Sequence, residues 1–306
     1  MIFLNAAAGE DRHAALVEAI GRALPDVPVV RPDNGMDPAR ITEIFTWLPM
    51  PDWQVYPNLR TVYSVSAGID QFADLPAHVR LVRMVDPNNA RRVCEFVQAA
   101  CLACLRNLPK YAARQVTRDW VPATAPFMSD TTVGILGLGE IGAMTAGRLA
   151  AMGFCVEGWS RTPRQIDGVV CHSGADGLDA LLAQADILVC LLPLTPSITG
   201  ILDAGLFARM KQGSSLVQVG RGAHCVLPDL RAALKNGQLS QAMLDVFETE
   251  PLPAEHPGWD LPNCLVTPHI AGRIEPASAV ANIVTNLCRD RAGEPLLWQV
   301  DREKGY

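Results

Sequence analysis

The sequence predicts an α/β protein built from two doubly wound parallel-sheet domains. Three observations carry this prediction. The chain has 306 residues, room for two domains at roughly 100–200 residues each. Short apolar strands alternate with helical segments, the pattern of parallel sheets covered on both faces. The alternation runs twice, and the Pro-containing stretch DWVPATAPFM, residues 119–128, separates the two series.

In the first series, IFLNAA is a short buried strand. Asp11 to Leu24 is an amphipathic helix with Ala15, Leu16, Ala19, Ile20 and Ala23 on one stripe. Pro25 and Pro28 end that helix, and VPVV begins a second strand. EIFTWLP and LRTVYSVS are further strands, followed by AGID and by one long helix from about Arg91 to Val116. In the second series TVGILGLG is a strand and turn, Ile141 to Met152 a helix and FCVEGWS a strand. ADILVCLLP, SLVQVG and CLVTPH are later strands with helices between them. From about Pro276 the chain is a helix followed by a polar tail ending VDREKGY.

Composition narrows the function. Hydrophobic residues make up 49% and charged residues 19%, which fits a globular protein and argues against disorder. The net charge is -6, with no block of Lys and Arg, so neither nucleic acid nor an anionic membrane is expected as a partner. The N-terminus has no basic leader, and no stretch approaches the roughly 18 apolar residues of a membrane span. Nine cysteines, an odd number, point to free thiols in a reducing cytoplasm. Cys101 and Cys104 have C-x-x-C spacing, but they share a helical stripe with Val93, Phe96, Val97, Ala100, Leu105 and Leu108, so core packing is the expected role. No second pair at zinc-ribbon spacing and no H-E-x-x-H occurs, and no metal is expected.

The most informative motif is Gly137-Leu138-Gly139-Glu140-Ile141-Gly142. Alone, G-x-G-x-x-G is weak. Between a strand and a helix it is the dinucleotide fingerprint of a Rossmann domain. Gly137 permits the tight turn, Gly139 lets backbone approach a pyrophosphate, and Gly142 lets helix and strand pack. The helix N-terminus offers N–H groups and a positive dipole end to phosphates. The end of the next strand selects the dinucleotide. An NAD site places an acid there to bind the ribose 2′-hydroxyl. Here Ser160, Arg161, Thr162 and Arg164 stand there instead, and Glu157 lies earlier in the strand. Arg161 can pair with a 2′-phosphate, and the hydroxyls of Ser160 and Thr162 can add hydrogen bonds. The expected cofactor is therefore NADPH rather than NADH.

Three later segments carry catalytic residue types at predicted strand ends, where doubly wound sheets bind ligands. Arg221 follows SLVQVG, Asp245 and Glu250 lie in AMLDVFETEPLP, and His269 follows LVT and Pro268. An arginine can grip the carboxylate of a keto acid as a bidentate fork. A histidine can protonate the carbonyl oxygen near neutral pH. A carboxylate beside it, Glu250, would hold its ring and favour its charged form. Taken singly, Arg221 reads more readily as a surface cation, Glu250 as a turn acid before Pro251, and His269 as a core histidine. Their joint occurrence downstream of a nucleotide loop carries the reading.

With these segments in place, the sequence resembles the D-isomer-specific 2-hydroxyacid dehydrogenase family. GLGEIG, LLPLTPSITGIL, VGRG, LDVFETEPLP and TPHIAG stand in the family's order and spacing, from about residue 67 to the C-terminus. The resemblance implies that Arg221 binds substrate, Glu250 is the partner carboxylate and His269 the acid/base. It also implies that the backbone amides of Ala67 and Gly68 hold the substrate carboxylate. Asp245 would contact the nicotinamide amide, with Pro193, Thr195, Val219 and Gly220 completing the cofactor surface. WSRT, RGAH and the terminal VDREKGY are similar to NADPH-dependent glyoxylate/hydroxypyruvate reductases within the family. Most relatives have Asn where Gln218 stands and Asp where Val226 stands, positions beside the expected site.

The resemblance further implies a Rossmann cofactor domain, residues 93–274, inserted into a flavodoxin-like substrate domain, residues 1–92 plus 275–306, and a homodimer in the cytoplasm. Trp47 has two readings, a substrate-pocket wall or packing, and His224 borders the expected pocket. Two rivals stay open. One is a family member acting on a different acid, and the other is a nucleotide-sensing binding protein of the same fold.

Overall fold

The computed structural model describes residues 3–6, 10–32, 35–66, 68–272 and 274–302. It contains two compact units, Met1–Asn89 with Ile274–Tyr306, and Ala90–Arg273.

The first unit holds five strands: β1 Phe3–Asn5, β2 Val29–Val30, β3 Glu43–Thr46, β4 Thr61–Ser64 and β5 Arg80–Val82. All pair in parallel in the order β2-β1-β3-β4-β5, which is the flavodoxin-like arrangement. Successive strand residues point to opposite faces. Phe3, Phe45, Tyr63 and Val82 pack on one side against Leu16 and Ile20 of α1, Glu10–Ala23, and against Ile283 and Leu287 of the C-terminal helix Pro276–Arg291. Their neighbours Leu4, Ile44, Val62 and Leu81 pack on the other side against Trp53, Leu59 and Phe72. Burial on both faces explains why these strands read as apolar runs.

The helix α2, Pro87–Leu105, carries the chain from the first unit into the second, and α3, Leu108–Thr117, follows. The single long helix expected here is broken. Asn107 takes a left-handed conformation, φ 57°, and Pro109 lies in the first turn of α3. Proline lacks an N–H and clashes with the preceding turn in a helix interior, so the chain restarts with it near an N-terminus. Cys101 and Cys104 are buried on α2 against the sheet. Burial pushes the Cys104 thiol up to about 12 and that of Cys101 well above the ordinary range, as inert packing groups require.

The remaining elements are β6 Thr132–Leu136, α4 Glu140–Met152, β7 Cys155–Trp159, β8 Val170–His172, α5 Gly174–Gln184, β9 Ile187–Cys190, α6 Ala204–Arg209, β10 Ser214–Gln218, α7 Leu227–Asn236, β11 Leu239–Leu244 and β12 Cys264–Val266. They form one parallel sheet in the order β12-β11-β10-β9-β6-β7-β8. The chain runs outward from β6 to β8, then crosses back to β9 on the other side of β6. Such a reversal opens a crevice at the carboxyl ends of β6 and β9. Val133, Ile135, Val189 and Val217 face α2 and α4, while Leu136, Leu188 and Leu216 face the helices α5, α6 and α7.

No helix among the described residues is long and apolar enough to cross a membrane. Among those residues there is also no group of three or more His, Cys, Asp or Glu that could hold a metal ion.

Candidate active site

The glycine loop lies at the switch point between β6 and α4. Gly137 has φ +102°, and a Cβ there would come within 2.9 Å of the Leu191 carbonyl oxygen. A Cβ on Gly142 would sit 1.8 Å from the Gly137 carbonyl oxygen, so only glycine lets the helix start this close to the strand. Gly139 differs. A Cβ there meets nothing within 4 Å, so its open side leaves room for a ligand rather than for packing. Gly139 is the N-cap of α4, and no side chain caps that end. A helix N-terminus of this kind has first-turn amides without an intrahelical acceptor. The neighbouring residues divide by role. Leu138 is buried against Gly158 of β7, Glu140 is exposed and Ile141 half-buried. Leu138 therefore serves the loop through packing and backbone.

Beyond β7, Ser160 is buried and its hydroxyl donates to the Thr162 carbonyl at 2.7 Å, shaping the turn. Arg161, Thr162 and Arg164 are exposed. Glu157 is turned to the neighbouring strand, where its carboxylate meets His172 Nε2 at 2.7 Å. The cations stand past the strand end and the acid does not, which favours an anionic 2′ substituent.

The other residues cluster at the carboxyl ends of β9, β10, β11 and β12. Pro193 and Thr195 follow β9, with Thr195 preceding a short turn at Pro196–Ile198. Val219 and Gly220 follow β10. Arg221 comes next, half-buried, and its guanidinium donates to the Gly220 carbonyl at 2.9 Å. A Cβ on Gly222 would fall 1.9 Å from the Phe247 carbonyl carbon, so the arginine turn rests directly on the segment after β11. That segment holds Glu250. Its Oε1 accepts the Phe247 amide at 2.9 Å and its Oε2 meets His269 Nδ1 at 2.6 Å. Burial draws the Glu250 carboxyl up, but the hydrogen bonds from His269 and Phe247 and the charges of His269 and Arg221 outweigh it. The net position is below the ordinary carboxylate range. Glu250 therefore stays ionised and stabilises a charged imidazole next to it.

Asp245, at the end of β11, is 1% exposed. Its carboxylate accepts the Thr267 hydroxyl at 2.5 Å and the amides of Ile270 and Ala271 at 2.9 Å each. Its backbone carbonyl accepts the His269 amide at 2.9 Å. The turn after β12 is thus bound to β11 on both sides of His269, whose own φ is +51°. A non-glycine residue with positive φ persists only where its surroundings hold it. The expectation of a nicotinamide contact for Asp245 is joined by a role in orienting His269.

Arg221, Glu250 and His269 therefore converge, with Asp245 behind them. Gly68 lies in the other unit, just after β4, where its carbonyl accepts the Ser66 hydroxyl at 2.6 Å. Ala67 lies outside the described residues. Trp47 is 54% exposed. Sequence reasoning missed Thr267 and the Phe247 amide, and it set Gln218 aside. Thr267 had one usable signal, a hydroxyl beside the proline that precedes His269.

Residues 98–271 match the model for the NAD binding domain of D-isomer specific 2-hydroxyacid dehydrogenases. The chain is 40% identical over 257 residues to glyoxylate/hydroxypyruvate reductase A of Serratia proteamaculans, covering 81% of this chain and 82% of that protein. The chain belongs to the D-isomer specific 2-hydroxyacid dehydrogenase family. Solved structures agree along its whole length. The NADPH-dependent glyoxylate/hydroxypyruvate reductase of Sinorhizobium meliloti, in complex with NADP and sulfate, superposes with TM-score 0.87 at 37% identity, covering 100% of this chain and 99% of that one. A family member from Xanthobacter autotrophicus, in complex with NADPH and MES, has TM-score 0.87 at 36% identity, covering 99% of each chain.

Proposed function

We propose that this family member is an NADPH-dependent reductase of small 2-keto acids, with glyoxylate and hydroxypyruvate as substrates and glycolate and D-glycerate as products. The observation that carries the proposal is the convergence of Arg221, Glu250 and His269 at the strand ends beside the glycine loop. The names of the Serratia and Sinorhizobium relatives support the choice of acid.

When bound, NADPH supplies the hydride for the keto carbon. The open Gly139 backbone and the α4 N-terminus suit its pyrophosphate, and Arg161 with Arg164 suits its 2′-phosphate. Arg221 orients the substrate carboxylate and draws charge toward the carbonyl oxygen. The amides of Ala67 and Gly68 belong to the same proposed substrate set. His269 uses Nδ1 on Glu250, which leaves Nε2 to hand its proton to the oxygen as charge builds there. Glu250, held ionised, places a negative charge beside the imidazole that donates the proton.

A homodimer fits one further observation. Val116 on α3 is 85% exposed, and Trp120 and Phe127 in the segment after it are 98% and 79% exposed, large apolar side chains that a partner subunit could cover. The free thiols fit a cytoplasmic setting.

The test follows NADPH absorbance against a panel of 2-keto acids. Turnover of glyoxylate and hydroxypyruvate is expected, with NADH a poor donor. Arg161→Asp should weaken NADPH by about tenfold to a hundredfold, the worth of a charge-assisted pair, while NADH changes little. Equal losses for both nucleotides would overturn the cofactor assignment. Absence of turnover with every acid would leave the nucleotide-sensing alternative.

A further inference from the structure

Two buried side chains beside the site are unused by the mechanism above. His224 and Gln218 are each 0% exposed, and burying such groups is costly unless each polar atom is matched. The Gln218 amide donates from Nε2 to the Arg221 carbonyl at 2.7 Å and accepts the Gly220 amide on Oε1 at 3.2 Å. His224 accepts the Arg221 backbone amide on Nδ1 at 3.1 Å, and its Nε2 lies 3.3 Å from the Pro193 carbonyl. A backbone amide can only donate and a carbonyl can only accept. Nδ1 must therefore carry the lone pair and Nε2 the hydrogen, which assigns the neutral Nε2–H tautomer.

We propose that Gln218 and His224 form a buried clasp that positions Arg221 and ties it to the Pro193–Thr195 loop. The proposal rests on the reading of Arg221 as the substrate arginine and of that loop as a cofactor contact. Both backbone groups of Arg221 are held by buried side chains, so the root of its guanidinium arm is fixed from two sides. One imidazole spans from that root to the loop after β9. The ring packs closely on the backbone at Gly220. A Cβ on Gly220 would lie 3.0 Å from His224 Nδ1 and 3.0 Å from the Leu192 carbonyl oxygen. These residues are positioning residues, since neither is placed to touch the reacting atoms.

Each nitrogen of His224 does a separable job, so two conservative variants test it. His224→Asn keeps an acceptor where Nδ1 stands but cannot reach Pro193. His224→Gln keeps a donor where Nε2 stands but offers the Arg221 amide nothing. Measured on the full-length enzyme, His224→Asn should raise the NADPH Kd about fivefold to tenfold, the worth of one neutral hydrogen bond, with the keto-acid KM near wild type. His224→Gln should do the reverse. His224→Leu should raise both, and thermal melts of all three separate loss of fold from loss of position. The proposal is overturned if the Asn and Gln variants shift Kd and KM together, or shift neither. Wild-type protein that reduces no keto acid would refute the functional reading instead, and the effect of His224→Asn on NADPH Kd would still test the cofactor half of the clasp.

Discussion

Asp245 and Glu43 are both carboxylates buried at strand ends, one in each unit, and they are supported in opposite ways. Asp245 receives three donors, the Thr267 hydroxyl and the Ile270 and Ala271 amides. Glu43, 0% exposed at the start of β3, makes no well-formed hydrogen bond through either oxygen and feels the Thr61 hydroxyl only weakly. Arg60 approaches it only to 3.6 Å. Burial pushes the Glu43 carboxyl up to about 7, with the charge of Asp290 adding to the rise. The Thr61 hydroxyl, Arg60 and Arg80 offset part of it. Burial alone therefore does not tell what a carboxylate does. Donors converge where a turn must be held for chemistry, and they are missing where the acid merely sits at a strand end.

The largest expected effect lies at the residue Asp245 supports. His269→Ala should lower kcat by about a hundredfold to ten-thousandfold, the usual worth of a general acid, with the NADPH Kd near wild type. Unchanged turnover would remove His269 from the mechanism. Asp245→Asn comes next. It places an NH₂ group against an amide or hydroxyl donor, and the loosened turn should lower kcat by about tenfold to a hundredfold. In a His269→Ala background the same change should cost little more, because the two act as a unit. Additive losses would mean that Asp245 acts separately from His269, for instance on the nicotinamide.

Glu250→Gln should have a smaller effect that depends on pH. Glu250 lies below the ordinary carboxylate range through its bond to His269, so by reciprocity its charge favours the protonated imidazole. Without that charge the alkaline limb of the reduction rate should move to lower pH, while the rate on the acid side falls less. An unmoved limb would assign Glu250 to packing alone.

The remaining expected effect is on stability rather than on rate, at Glu43. Its folded-state value of about 7 lies above the ordinary 4.5, so the fold favours the neutral acid. That contribution is fully present below about 4.5 and is lost as pH rises through about 7. Glu43→Gln should leave stability near pH 4.5 almost unchanged. Near pH 8 it should raise it by about 3 kcal/mol, at about 1.4 kcal/mol per pKa unit. Denaturant melts at the two pH values check this. A variant destabilised at both would show that Glu43 is supported like Asp245 after all.

Much of the fold was legible in the chain because parallel strands buried on both faces appear as apolar runs, and LRTVYSVS, TVGIL and SLVQV are such runs. β5 and β8 were not. Each has three residues and lies at a sheet edge, too short for a period to register. The helix break at Asn107 was also missed, although Pro109 carried the signal. At the candidate site, the residue types of Arg221, Glu250 and His269 could be picked out, and the glycine loop announced its own conformation. Gln218 was placed beside the site, but which backbone groups its amide reaches could not be read from its chemical type.

By itself, then, the sequence determined the α/β class, the parallel sheets and a glycine turn between a strand and a helix at residues 137–142. These follow from local sterics and from periodicity, which act between near neighbours along the chain. Only the tertiary structure decided which buried acid is satisfied. It also decided that Glu157 turns to His172 rather than past its strand end, and that His224 stands between Arg221 and Pro193. Hydrogen bonds are directional and short. Arg221 and His224 share one turn, but Glu157 with His172 and His224 with Pro193 join different strands, brought within reach only when the crossovers have set the strand order.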